Sequence, residues 1–321
     1  MKIVTQIIIT AFIAVITVLP AHADDHPAGI KLDGTLGSAG NLELPGPDYD
    51  IRAEYGQQAG ANLFHSFQQF NIHSDESATF TGPNSVQNII SRVTGGNASW
   101  IDGRLGSTIP GADLFMLNPA GLMFGPSASL DLSGSFHVST ADYLRLGENE
   151  RFYSTPHAND VLSLAAPAAF GFLNSDISPI TYEGRGEITK EESEDNPAGI
   201  RVREGETLSL IGGDIEMNRG TYYKIQKTDE NGEPVFEEAS DENGDPVTDD
   251  DGNPVLATDE DGNPIPVLET ERPGDVVAPG GRIDIAGVAS PGEVTPSEAD
   301  LNVTSSEMGN VTLSDRIILS A

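Results

Sequence analysis

Asn88-Ile89-Ile90-Ser91-Arg92-Val93-Thr94-Gly95-Gly96, followed by Leu114-Phe115-Met116-Leu117-Asn118-Pro119-Ala120-Gly121-Leu122-Met123-Phe124-Gly125, is the wording that decides the fold. Short apolar bursts alternate with Gly, Asn, Pro and Ser. Gly supplies positive φ, Pro fixes φ, and Asn or Ser bonds the local backbone, so each burst ends in a built turn. The pattern holds from Asn62 to Leu146 and continues beyond it. Strand-like runs fall at Ala78–Thr81, Ile89–Val93, Leu114–Leu117, Leu122–Phe124, Ser129–Leu132, Ser135–Ser139, Thr207–Ile211, Asp214–Met217 and Arg282–Ala286. Their spacing of about seven to twelve residues predicts an all-β fold.

Three all-β architectures compete. A sandwich needs longer strands with clean hairpin turns. A propeller needs a blade-length repeat, which the chain lacks. Short strands, irregular turns and apolar residues without a strict period fit a parallel β-helix, in which each rung completes its core by stacking on the next. Phe64, Phe67, Phe70 and Phe80 suit a plug over the first rung and equally suit ordinary Phe-rich packing in a β core. One short helix is expected at Thr140–Leu146, with Ser139 as N-cap and Asp142 three residues on.

The first residues read as an export leader. Lys2 precedes an apolar run, Ile3 to Leu19, and Ala21-His22-Ala23 is a small-x-small cleavage site, which gives a leader at 1–23. No later run has the length of a membrane-spanning helix. The net charge is −33, and losing Lys2 takes it to −34. Such a charge repels phosphate backbones and excludes nucleic acid as a partner. The chain has no cysteine. A pore-threaded chain and a self-sufficient β core are both consistent with that.

Residues 228–271 differ from their surroundings: they hold sixteen Asp and Glu and no Lys or Arg. Four related turns recur, Asn231-Gly232-Glu233-Pro234-Val235, Asn243-Gly244-Asp245-Pro246-Val247, Asp251-Gly252-Asn253-Pro254-Val255 and Asp261-Gly262-Asn263-Pro264-Ile265. The flanks, Leu208–Gly220 and Val276–Ala289, read as neighbouring parts of one coil. The domain plan is therefore a coil over 24–220, an acidic insertion at 221–275, and continued coil over 276–321. Composition favours an unstructured acidic loop. The alternatives are a hairpin arm, or a calcium-ordered segment using Asp249, Asp251, Asp259 and Asp261. The bidentate Glu of a calcium loop is missing, since Thr270 stands at its place. No other cofactor is indicated.

Catalytic signatures are absent. The chain has no Gly-x-Ser-x-Gly, no His-Glu-x-x-His and no phosphate loop. His65, His73, His137 and His157 match no zinc spacing and read as turn or surface residues. Asp102, Asp113 and Asp131 are too scattered to assign an acid and a base. A β-helix enzyme acting on surface polysaccharide stays open as an alternative function.

The quoted stretches resemble the filamentous haemagglutinin N-terminal, or haemagglutination activity, domain of two-partner secretion. Asn118-Pro119-Ala120-Gly121-Leu122 matches that family's Asn-Pro-Asn-Gly-Ile/Leu segment except at Ala120, and Asn88-Ile89-Ile90-Ser91 is similar to its other signature. The resemblance runs from about Ile30 to Leu173 and more loosely to Ala289. It implies a right-handed, single-stranded parallel β-helix with an N-terminal cap. It also implies a secretion domain read by an outer-membrane β-barrel transporter with periplasmic recognition domains. The product is then a secreted or cell-surface adhesin of a Gram-negative bacterium, with a host or neighbouring-cell receptor, or the delivery module of a contact-dependent toxin. The two motifs either touch the transporter or pin tight turns.

Overall fold

The computed structural model describes residues 29–157, 162–189, 199–241, 245–249, 253–260, 262–271, 274–297, 300–314 and 317–321. The leader at 1–23 lies outside them. Every regular element of the described residues is a strand, apart from a single 3-10 turn at Ala53–Tyr55. All nine strand-like runs of the sequence are strands, shifted by a residue or so at their ends.

The chain visits three sheets in turn, which is the layout of a parallel coil. Ser77–Thr81, Asn88–Val93 and Ser99–Ile101 make one circuit. Arg104–Ser107, Asp113–Leu117 and Leu122–Phe124 make the next, pairing in parallel with the first. The largest sheet stacks Asn62–Phe70, Asn88–Val93, Asp113–Leu117, Phe136–Ser139, Thr207–Gly212 and Arg282–Gly287. At its first edge Ile30–Leu32 and Gln57–Ala59 pair antiparallel with Asn62–Phe70.

Register follows from alternation. One column on the large sheet is Leu63, Ile89, Leu114, Phe136, Leu208 and Ile283. These residues belong to the main core or pack on it. The adjacent column is Phe64, Ile90, Phe115, His137, Ser209 and Asp284, on the opposite face. A slip of one residue would exchange the columns, burying Ser209 and Asp284 inside the coil, so register is firmly set. Each apolar side chain so buried contributes about 1.5–3 kcal/mol.

The second column does not face water. A five-stranded antiparallel sheet lies over its apolar half, in the order Glu150–Tyr153, Tyr143–Leu146, Pro167–Phe172, Gly292–Pro296, Leu301–Val303. Leu144, Leu146, Phe152, Phe170, Phe172 and Val294 pack there with Phe64, Ile90 and Phe115 in a second core. One sequence expectation fails here. Thr140–Leu146 is not a helix: Tyr143–Leu146 alternates and pairs on both edges, and Ser139 Oγ accepts only the Ala141 N–H, a local turn bond. Phe67, Phe70 and Phe80 sit in the main core, but Phe64 belongs to the second one.

The acidic segment leaves this coil as a paired arm. Tyr222–Gln226 pairs antiparallel with Leu268–Glu271, and bridges continue at Phe236↔Pro266 and Glu238↔Leu256. Small hairpins close at Thr228↔Pro234, Ser240↔Pro246, Thr248↔Pro254 and Thr258↔Pro264. The described residues are thus structured, contrary to the unstructured loop that composition favours. Composition misses the turns, where one Asp carboxylate accepts backbone N–H groups. Asp229 Oδ1 accepts from Asn231 and Glu233, and Asp241, Asp249 and Asp259 accept from Asp245, Asn253 and Asn263. At the base, buried Asp275 accepts from the N–H groups of Thr221 and Ile318.

Candidate functional site

The Asn118–Leu122 turn joins the large sheet to its neighbour, between Asp113–Leu117 and Leu122–Phe124. Asn118 is fully buried. Its Nδ2 donates to the Asn97 carbonyl and to Ser99 Oγ, each at 3.0 Å, on the preceding circuit. Its Oδ1 accepts the Ala120 N–H at 3.0 Å, which closes an Asx turn. Pro119 O accepts Ser178 Oγ–H at 2.7 Å from the following circuit. Gly121 has φ of 117°, and an added Cβ would lie 3.4 Å from Ala98 Cβ and Pro179 O. Leu122 drops into the main core. The turn is therefore a peg between three stacked circuits. Pro119 and Ala120 are its half-buried outer face.

The second motif has the same character. Asn88 Nδ2 donates to Asn62 Oδ1 at 2.8 Å, and Asn62 Nδ2 donates to the carbonyls of Ser163 and Ala165. This asparagine ladder fastens the overlying segment to the coil. Ile89 is main core and Ile90 second core. Ser91 is buried, and its Oγ has no partner among the described residues.

With this coil and its pegged turns in view, residues 28–314 match the family model described as TPS secretion domain. The chain belongs to the TPS secretion domain family. No curated protein matches it. The match spans the coil, the overlying sheet and the acidic arm together, and it sets the chain's role in two-partner secretion, the export route of such domains. A TPS secretion domain is a transport module, and it acts with an outer-membrane transporter.

The other candidates of this TPS secretion domain do not converge. Asp102 Oδ1 accepts the Ser127 N–H and Asp113 Oδ1 accepts the Ser135 N–H, while Asp131 faces Arg104 at 3.8 Å. Burial pushes the Asp113 carboxyl up, with Glu206 adding to the effect and the Ser135 bonds opposing it. Asp249 and Asp259 serve as turn caps, and Asp251 and Asp261 lie outside the described residues. Among the described residues no three His, Asp or Glu side chains gather to hold a metal, and no helix is long and apolar enough to cross a membrane.

Two histidines contradict the surface reading. His65 is fully buried against Phe67 and Phe80, and neither ring nitrogen has a hydrogen-bond partner among the described residues. His137 stacks on Phe115 at 4.5 Å, and its Nδ1 lies 2.8 Å from Ser209 Oγ. Desolvation pushes both imidazoles down, to about 3 for His65 and about 4 for His137. The available signal was alternation. His65 shares a strand face with Leu63 and Phe67, and His137 stands in the column above Phe115.

Proposed function

We propose that this chain is the leading domain of an exoprotein, recognised while largely unfolded by the periplasmic domains of a dedicated outer-membrane β-barrel transporter. The coil, right-handed and closed at its first rung by Ile30–Leu32 and Gln57–Ala59, folds outside the cell. Its first exposed strands dock by strand addition, which supplies main-chain hydrogen bonds without a preformed pocket. Folding then opposes backsliding. The insertion at 221–275 rides on the coil, and the exported product works at the cell surface as an adhesin toward a host or neighbouring cell.

The observation that supports this reading best is the family match over 28–314, laid on a coil whose rungs each need their neighbour. Within it, Asn88–Ser91 and Asn118–Leu122 act as folding pegs, because the Asn88 and Asn118 side chains bond adjacent circuits once the coil forms. The test has two arms. Secretion from a Gram-negative host should require a co-expressed two-partner transporter, and equal export without one would overturn the reading. Unfolded wild-type and Asn118→Ala chains should bind the transporter's periplasmic domains equally, and a loss of binding would make Asn118 a contact. For the adhesin role, the purified protein should bind intact cells saturably.

A further inference from the structure

The strand Pro167–Phe172 pairs with Gly292–Pro296 only from Phe170↔Val294 to Phe172↔Gly292. Beyond that point the two strands have no further paired residues, while the other edge of Gly292–Pro296 stays paired with Leu301–Val303 as far as Pro296↔Leu301. A cavity of about 190 Å³ opens between them, walled by Pro167, Ala168, Ala169 and Pro296 and floored by Phe115, His137, Leu144 and Phe170. A second recess of about 510 Å³, lined by Thr207, Arg282, Asp284 and Ser297, shares His137 and Pro296 with it. The two recesses meet at those residues and together are called the slot, the smaller lined mainly by apolar side chains and the larger mainly by polar ones.

His137 stands where they meet, and it is only 9% exposed. Phe115 covers one face of its ring and Ser209 Oγ holds Nδ1. That contact is its one hydrogen bond among the described residues, and the Nε2 edge is what remains for the slot. Nε2 is open to the recess, and the other side chains lining the smaller recess are all carbon.

We propose that the slot is a binding site for a small neutral phenol, its ring between Phe115, Phe170 and the two prolines and its hydroxyl on His137 Nε2. The ring matches aromatic and proline walls. The hydroxyl is the group that suits either imidazole tautomer, because it both donates and accepts. Depressed basicity keeps His137 neutral at pH 7, so a neutral ligand fits better than a phenolate or a carboxylate. Arg282 does not alter this, since its guanidinium is already engaged by Asp284 and the Ser297 carbonyl. A peptide strand is a poor occupant, because Pro167 and Pro296 give it no N–H on the rims.

The experiment is a titration of the full purified protein with phenol and with benzene, followed by methyl NMR of Ala168, Ala169 and Leu144 and by the His137 ring signals. Phenol should shift these signals with a dissociation constant of roughly 1 mM. Benzene should bind roughly fivefold more weakly for want of the hydrogen bond. His137→Phe should make the two ligands equal, and Ala168→Leu, which fills the slot, should weaken phenol by about tenfold or more. No shift with phenol, equal affinity of phenol and benzene for the wild type, or unchanged phenol binding by folded Ala168→Leu each overturns the proposal. If Ala168→Leu does not fold, the phenol-to-benzene ratio of the wild type decides.

Discussion

The turn at Asn118 and the turn at Asp259 share Asn, Gly and Pro and are held in opposite ways. Asn118 sends its amide to Asn97 and Ser99 on another circuit. Asp259 accepts from Asn263, within its own hairpin. The coil turn thus exists only when its neighbours are stacked, whereas the arm turn carries its own support. That difference separates a region that folds as one long-range unit from a region assembled in short steps. A domain that is threaded before it folds gains from the first kind, because no single rung is stable alone.

Acid should break the comparison most sharply. The coil contains the two buried imidazoles, and the segment 221–275 contains no histidine. His65 and His137 have folded values of about 3 and about 4, below the ordinary 6.5. Between those limits the unfolded chain binds more protons, so stability is full above pH 6.5 and falls as the pH drops toward the folded values. Each imidazole costs about 1.4 kcal/mol per pH unit in that window, which is about 4 kcal/mol for the pair at pH 5. Urea midpoints measured from pH 7.5 to 5 should fall steeply for the wild type and much less for His65→Leu combined with His137→Phe. An unchanged slope in the double variant would remove the imidazoles from the account.

Next in size is Asn118→Ala. It takes the Asn118 amide away from buried Ser99 Oγ and from the part-buried contacts to the Asn97 carbonyl and the Ala120 N–H, at about 3 kcal/mol in all. The denaturant midpoint of the coil should drop accordingly, with hydrogen exchange accelerated at circuits on both sides of the turn. Asp275→Asn should cost less, about 2 kcal/mol, because one oxygen remains to accept from Thr221 or from Ile318 but not from both. Its damage should appear at the root of the arm and on the last strand, Leu319–Ser320, and not at Asn118.

What the sequence revealed tracks this same division. Strands were readable because Leu63, Ile89 and Leu114 recur as bursts between turn residues, and both signals are local. The overlying sheet was not, because Tyr143–Leu146 takes its partners from Glu150–Tyr153 and Pro167–Phe172, and no local period announces such pairing. For the same reason Thr140–Leu146 looked helical: a Ser with an acidic residue three on is a capping pattern until the strand partners are known. The motif residues could be named from sequence, but their partners could not, since Ser99, Asn62 and Ser178 carry no motif of their own. In the arm the error was of another kind. A run of carboxylates looks like unpaired charge, and it takes the N–H of Asn253 or Asn263 four residues on to turn Asp249 or Asp259 into a cap.

The smallest effect belongs to that cap. Asp259→Ala removes an acceptor that serves an exposed turn, and exposed local bonds of this sort contribute about 1 kcal/mol. Because the turn carries its own support, the loss should stay there: faster exchange over 258–265, with the coil midpoint unmoved within about 0.3 kcal/mol. Asp229→Ala should behave likewise at its own hairpin, where that carboxylate, held low by the N–H groups of Glu233 and Asn231, caps the turn. Since each cap accepts from its own hairpin, the quadruple Ala variant should show the sum of the single losses. A loss well beyond that sum, or one that reached Asn118, would mean that the arm folds as part of the coil.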